Sequence, residues 1–157
     1  MKKTTLSTAA LLASLGLATT AFAADRGLTQ DELSSLLDSA QQYGFTHFEE
    51  ISVDDGNELE LEGWREDGWK LEVDMNIASG DTIKEEQRQD QIPDWGLSFD
   101  EVNKALDSAM GEGLQRFESL EVESSGSIEI EGYNDQNQEI EIYLNSSDFS
   151  VTGVTND

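Results

Sequence analysis

Glutamates recur at every second position in two short stretches of this chain. Glu58, Glu60 and Glu62 stand in ELELEGW, and Glu72 and Asp74 follow in KLEVDM. Glu129 and Glu131 stand in SIEIEGY, and Glu139 and Glu141 follow in EIEIYL. An alternation of period two puts alternate residues on one face of a strand. Each stretch therefore lines one face with carboxylates, which is chemistry for cations: an ammonium, a guanidinium or a divalent ion. Trp64, Tyr133 and Tyr143 fall on the same face. The candidate partner-binding residues are Glu60, Glu62, Trp64, Glu72 and Asp74, with Glu129, Glu131, Tyr133, Glu141 and Tyr143. Such a face suits a protein or basic peptide. The rival reading is an acidic periplasmic protein that binds cations such as calcium, or an envelope protein whose solvated face is adapted to salt.

Catalytic chemistry finds little support. His47 is the sole histidine, so a zinc site of two or three histidines cannot be built. There is no cysteine, which excludes a thiol nucleophile, a cysteine-ligated metal and any disulfide. Gly-x-Ser-x-Gly, His-Glu-x-x-His and the Walker loop are absent. Paired carboxylates also serve glycoside hydrolysis, but that needs a cleft between them, and a small sheet offers none. Asp54-Asp55-Gly56-Asn57-Glu58 is rich in oxygen ligands but lacks the spacing of a calcium loop, and turn chemistry accounts for it. The expectation is a protein that is not an enzyme, with no cofactor, no resident metal and no catalytic residue.

Charge and export narrow the partners. Lys2 and Lys3 precede an apolar run from about Leu6 to Thr20, and Ala21-Phe22-Ala23 closes it. This is the pattern of a signal peptide over residues 1–23. A periplasmic or secreted protein follows, with no membrane insertion after cleavage. Past residue 23 the chain has 7 basic side chains against 34 acidic ones. Nucleic acid is excluded as a partner because phosphate binding needs a basic footprint. Basic proteins, basic peptides and cations are what this field attracts.

The elements that hold the carboxylates are written twice. Shifted by 69 positions, residues 28–75 align with residues 97–144 without a gap, and 15 of the 48 positions are identical. Each copy starts on a capping box, Thr29 with Glu32 and Ser98 with Glu101, which predicts a helix start. The apolar stripes Leu33, Leu36, Leu37, Ala40 and Val102, Ala105, Leu106, Ala109 give each helix one buried face. Gly44 and Gly113 stand where a left-handed residue ends a helix. Strands are predicted over 48–53 and 117–122, followed by a hairpin in each copy and a short last strand over 81–86 and 150–155. A three-residue loop ending on Gly68 or Asn137 sets the hairpin register. It pairs Leu61 with Val73 and Gly63 with Leu71, collecting the aliphatics on one side. Glu62 then opposes Glu72, Glu60 opposes Asp74, and Glu131 opposes Glu141. Each such pair repels by roughly 0.8 kcal/mol in water at about 5 Å. Trp64 opposite Lys70 offsets part of this as a cation–π pair.

The resulting fold class is α+β: two tandem α-β-β-β(-β) units, each a helix packed on one face of a small antiparallel sheet. Unit 1 spans 24–86, a linker 87–96, and unit 2 97–157. The order of features resembles the PepSY domain, in the form found in small exported bacterial proteins. Gly44-Phe45, Asp67-Gly68, Lys70, Glu72, Asp74 and Ser79-Gly80-Asp81-Thr82 carry the resemblance. The second copy departs from it, with Asn137 for the hairpin glycine and Tyr143 for Asp74. Related domains occur in propeptides of thermolysin-like proteases, where they inhibit and assist folding. The resemblance implies a binding or inhibitory module, with a secreted or envelope protease as candidate partner, and no catalytic residues.

Overall fold

The computed structural model describes residues 27–54 and 57–156. The signal peptide expected over residues 1–23 and the turn expected at Asp55-Gly56 lie outside the described residues. The elements run α1 (Gln30–Ala40), β1 (Phe45–Asp54), β2 (Glu58–Arg65), β3 (Trp69–Asn76), β4 (Thr82–Gln89), α2 (Phe99–Gly111), β5 (Arg116–Val122), β6 (Ser127–Tyr133), β7 (Glu139–Asn145) and β8 (Val151–Asn156). Among the described residues the fold is α+β, with two α-helices and a single antiparallel sheet. Its eight strands lie in the order β4-β3-β2-β1-β5-β6-β7-β8.

Local chemistry sets the helix ends. The Glu32 carboxylate accepts from the Thr29 N–H at 2.9 Å and from its hydroxyl at 2.7 Å, while the Glu32 N–H donates back to Thr29 Oγ1. Glu101 makes the same two contacts to Ser98 at 2.8 and 2.7 Å. These bonds satisfy donors that a helix start would otherwise leave unpaired. The predicted apolar stripes are buried in both helices. Past α1, a short 3₁₀ turn over Gln41–Tyr43 intervenes before Gly44, which has φ 74°.

The hairpin registers match the two predicted from turn chemistry. Leu59↔Met75, Leu61↔Val73 and Gly63↔Leu71 pair in the first, and Ile128↔Leu144, Ile130↔Ile142 and Gly132↔Ile140 in the second. Gly68 has φ 83° and Asn137 φ 57°, the left-handed conformation that the three-residue loop demands. The last strand of the first half runs further than expected, and takes Gln87–Gln89 out of the anticipated linker.

Each unit was expected to carry a small sheet and to pack on the other; the two are joined in one continuous sheet. β1 and β5 pair through Glu50↔Glu121, Ile51↔Leu120 and Ser52↔Ser119. Two bridges flank this seam: Leu28 with Phe117, and Leu97 with Phe48. The residue leading into each helix thus pairs with the first strand of the other half. The helices follow that lead: α2 approaches β1 and β6, and α1 approaches β5. One hydrophobic core results, running from Leu33, Phe48 and Leu61 to Val102, Phe117 and Ile130. A half of about 60 residues buries a marginal core on its own, and joining doubles it.

A bulge interrupts the first strand of each half. The β1–β2 register slips between Phe48 and Glu50, and the β5–β6 register slips between Phe117 and Ser119. Gly63 and Gly132 lie beside these bulges. A Cβ at Gly63 would collide with the His47 carbonyl oxygen and sit 3.0 Å from Phe48 Cα. At Gly132 it would collide with the Arg116 carbonyl oxygen and sit 2.7 Å from Leu114 Cδ1. Backbone cannot swing away as a side chain can. Gly63→Ala and Gly132→Ala are therefore each expected to lose about 2 kcal/mol or more in urea unfolding. Gly111→Ala, where nothing lies within 4 Å, is expected to be neutral or stabilising by up to about 1 kcal/mol. Equal effects at the three positions would contradict this packing.

Candidate functional site

The face of the sheet opposite the core is the carboxylate face. Strand alternation places Leu59, Leu61, Val73 and Met75 inward and fully buried. It therefore turns Glu60, Glu62, Glu72 and Asp74 outward, where all four are half-buried. Glu62 lies opposite Glu72 and Glu60 opposite Asp74, and in the second hairpin Glu131 lies opposite Glu141 and Glu129 opposite Tyr143. Carboxylate oxygens of Glu60, Glu62 and Glu72 lie within 4.8 Å of one another, as do those of Glu129, Glu131 and Glu141. Six of the seven predicted carboxylates are thus brought together as two clusters on one face, with Asp74 opposite Glu60.

The halves balance this charge in different ways. In the first, the Lys70 ammonium pairs with Glu49 and, at 2.8 Å, with Glu62. It also stands 4.8 Å from the centre of the Trp64 ring. Burial works against its charge, but the two bonded carboxylates prevail and hold it above the ordinary lysine range. Lys84 pairs with Glu72, and with Glu86 at 3.5 Å. In the second half hydroxyls take over. The Tyr143 hydroxyl lies 3.1 Å from Glu141 Oε2 and 3.3 Å from Glu129 Oε1, sharing its one proton between them. Thr155 donates to Glu141 at 2.8 Å and Ser119 to Glu131 at 3.2 Å. The hydrogen bond to Glu141, with burial, pushes the Tyr143 phenol up to about 12.

Two aromatic residues assigned to this face are correctly placed along the strands but are not open to a partner. Trp64 is 4% exposed and Tyr133 6%. Trp95 covers Trp64 edge-on at 5.4 Å between ring centres. Trp64 is therefore a floor beneath Lys70. Tyr143 stays half-buried, with its hydroxyl among the carboxylates. His47 hydrogen-bonds the Thr46 hydroxyl through Nδ1 at 3.0 Å.

Alternation alone misses two members of the face, Glu49 and Glu118. Each occupies the bulge of its strand, where an extra residue breaks the count of two. Both sit beside the outward carboxylates of the neighbouring strands: Glu49 on Lys70, and Glu118 with Glu131, Glu139 and Glu141. The identity of Glu49 and Glu118 in the sequence repeat was the available signal. The arrangement as a whole is a lattice of negative charge on a shallow surface. A surface of that sign has the chemistry to attract cationic groups.

These features find a counterpart in one protein family. The family described as peptidase propeptide and YPEB domain (PepSY) matches residues 5–86. The chain belongs to this family. PepSY domains are generally propeptide or regulatory modules and not catalysts. No curated protein matches the chain at a significant level. Among solved structures, a Clostridium difficile 630 protein provisionally termed a lipoprotein is similar at 14% identity. The match covers 85% of this chain and 95% of that one, with a TM-score of 0.47. Among the described residues no helix is long and apolar enough to cross a membrane.

The crowded carboxylates give stability an unusual dependence on pH. Burial first, then neighbouring carboxylates, raises Glu60 above its ordinary value; burial likewise raises Glu50, Asp74 and Glu129. Between the ordinary and the raised values the folded chain holds more protons than the unfolded one. Stability from these groups therefore falls as pH rises through that window. Glu32 and Glu101 are lowered by their bonds from Thr29 and Ser98. Their contribution is full above the ordinary value and lost as pH falls through the lowered one. At low salt the melting temperature is expected to rise as pH falls from neutrality toward the ordinary carboxylate values near about pH 4, and to drop below them. Added salt should flatten the first rise. A melting temperature that declines steadily from pH 7 downward would contradict the self-repelling face.

Proposed function

We propose that the chain is an exported, non-catalytic PepSY protein that binds a protein partner through the carboxylate face of its sheet. A secreted or envelope protease is the candidate partner, and restraint of that protease is the outcome. In this reading residues 1–23 direct export, 24–86 and 97–157 are tandem PepSY units, and 87–96 link them. The duplication is supported by the order of elements, one helix and four strands twice over, and by matching registers 69 positions apart. The observation that carries the binding reading is the outward face itself. Carboxylates of both hairpins cluster on it, in a chain whose acidic residues outnumber basic ones by 34 to 9. A field of that sign steers and orients a basic surface.

A second reading, an acidic envelope protein that binds calcium or other cations, is supported by the two glutamate triads with oxygens within 4.8 Å. Inhibition separates the two. The purified protein is expected to inhibit a secreted thermolysin-class metalloprotease when calcium and zinc are kept saturating. Half-maximal inhibition should need at least about tenfold more protein as salt rises from about 50 to about 500 mM. Absence of inhibition, together with one-to-one calcium binding that raises the melting temperature, would favour the cation reading instead.

A further inference from the structure

The two ends of the sheet differ in how they are finished. Among the described residues β4 and β8 are its edge strands, each paired with a neighbour on one side. An open edge presents unpaired N–H and C=O groups and invites another strand unless it is guarded. β4 is guarded. It carries Lys84, Glu85, Glu86 and Arg88, and its register to β3 slips between Asp74 and Met75. Glu85 pairs with buried Val73 and Gln87 with buried Leu71, so a charge and an amide stand on the core side of this edge. β8, VTGVTN, has no charged residue and four β-branched ones. Its register slips only near its start, opposite Tyr143 and Leu144, and residues 153–156 pair regularly.

The open groups of β8 can be named. The Asn145 N–H donates to the Ser150 carbonyl, and the Tyr143 carbonyl accepts from the Thr152 hydroxyl, so these residues of β7 turn their backbone toward β8. Gly153 and Thr155, paired with Tyr143 and Glu141, turn theirs back to β7. Alternation then aims the N–H and C=O of Val154 and Asn156 at the open edge. Side chains divide likewise. Val154 pairs with Ile142 on the core side and is 37% exposed. Gly153 and Thr155 lie on the carboxylate side. A glycine inside a strand weakens it and often marks close approach of another backbone. Nothing within the chain requires Gly153: its backbone is not left-handed, and an added Cβ would meet Tyr143 Cδ2 at 3.5 Å, an ordinary contact. It leaves space beside the Tyr143 ring at the open edge.

We infer that the edge of β8 takes up an extended segment of the protein partner as a ninth strand, one in which basic and apolar residues alternate. This rests on the protein-binding reading above and names how the partner is engaged. Main-chain bonds to Val154 and Asn156 hold the segment. Residues directly opposite share a face, so those beside Val154 meet the rim of the core and are apolar. Those beside Gly153 and Thr155 meet the carboxylate side and are basic. Charge selects the occupant: 34 acidic residues against 9 basic ones repel a second copy and attract a basic segment. The hydroxyl contacts of Tyr143 and Thr155 to Glu141 stay in place, because the added strand pairs with backbone.

An acetylated and amidated Lys-Val-Lys-Val-Lys-Val-Lys peptide is titrated into ¹⁵N-labelled protein, with amide shifts and hydrogen exchange as readouts. Its analogue N-methylated at each valine, and an isomer with lysines and valines in separate blocks, are the controls. The alternating peptide is expected to bind saturably and one-to-one, shifting amides of β7 and β8 and slowing exchange at Val154 and Asn156. Methylation keeps the charge but removes the donors that face β8, and should weaken binding at least about tenfold. The block isomer should leave exchange at Val154 unchanged. Val154→Pro removes one open N–H and should weaken binding at least about fivefold, whereas Gln87→Pro on the β4 edge should not. Equal binding of the methylated analogue, or slowed exchange on β4 instead of β8, would overturn the inference. So would protection of Val154 that appears without peptide as protein concentration rises, since a second copy would then hold the edge. Pairing of the peptide at β8 without inhibition of any protease would uphold the edge and remove the protease reading. Inhibition left unchanged by Val154→Pro would overturn the edge as the partner's contact and leave that reading standing.

Discussion

The antiparallel seam between β1 and β5 is the contact on which the rest of this molecule depends. It is short, three residue pairs centred on Ile51 and Leu120, both fully buried. Its strength lies in what flanks it. Leu28 and Phe117 exchange two backbone hydrogen bonds of 2.7 Å, and Phe48 and Leu97 exchange bonds of 2.7 and 3.0 Å. Each bridge ties the entrance of one helix to the first strand of the opposite half. Neither helix can seat fully unless the other half is folded. Two cores that would each be marginal become one, with no disulfide to help.

The seam also decides where the charge goes. Ile51 and Leu120 face the helices, so Glu50 and Glu121, opposite each other, must face away. From there the outward row continues through Glu62 and Glu72 on one side and Glu129 and Tyr143 on the other, with Glu131 and Glu141 in the next row. A continuous sheet therefore makes a continuous acidic surface. The first half partly neutralises its own portion with Lys70 and Lys84. In the second, hydroxyls of Tyr143 and Thr155 make the contacts to the corresponding Glu141. That asymmetry leaves the two ends of one sheet face unlike in how their charge is balanced.

Much of this was legible in the sequence, for identifiable reasons. Capping boxes and helix stripes are local, and they appear where the residues place them. The hairpin registers were legible because Gly68 and Asn137 fit one loop length, and that length sorts aliphatics from glutamates. Glu60, Glu62, Glu72, Asp74, Glu129, Glu131 and Glu141 follow from those registers. Glu49 and Glu118 do not, because a bulge adds a residue that no alternation reveals. The seam was also hidden. β1 and β5 meet through backbone groups, and nothing in FEEISVD or FESLEV specifies which edge pairs with which. The burial of Trp64 needs Trp95, 31 positions away in sequence, and only the assembled sheet brings them together.

Native-state hydrogen exchange at the amides of Leu28, Phe48, Leu97 and Phe117 tests the seam most directly. These amides should exchange only through global unfolding, with the same opening free energy as the core amides of β2 and β6. Faster exchange confined to these four, with β2 and β6 still protected, would mean that the halves part while folded. That result would contradict the single shared core.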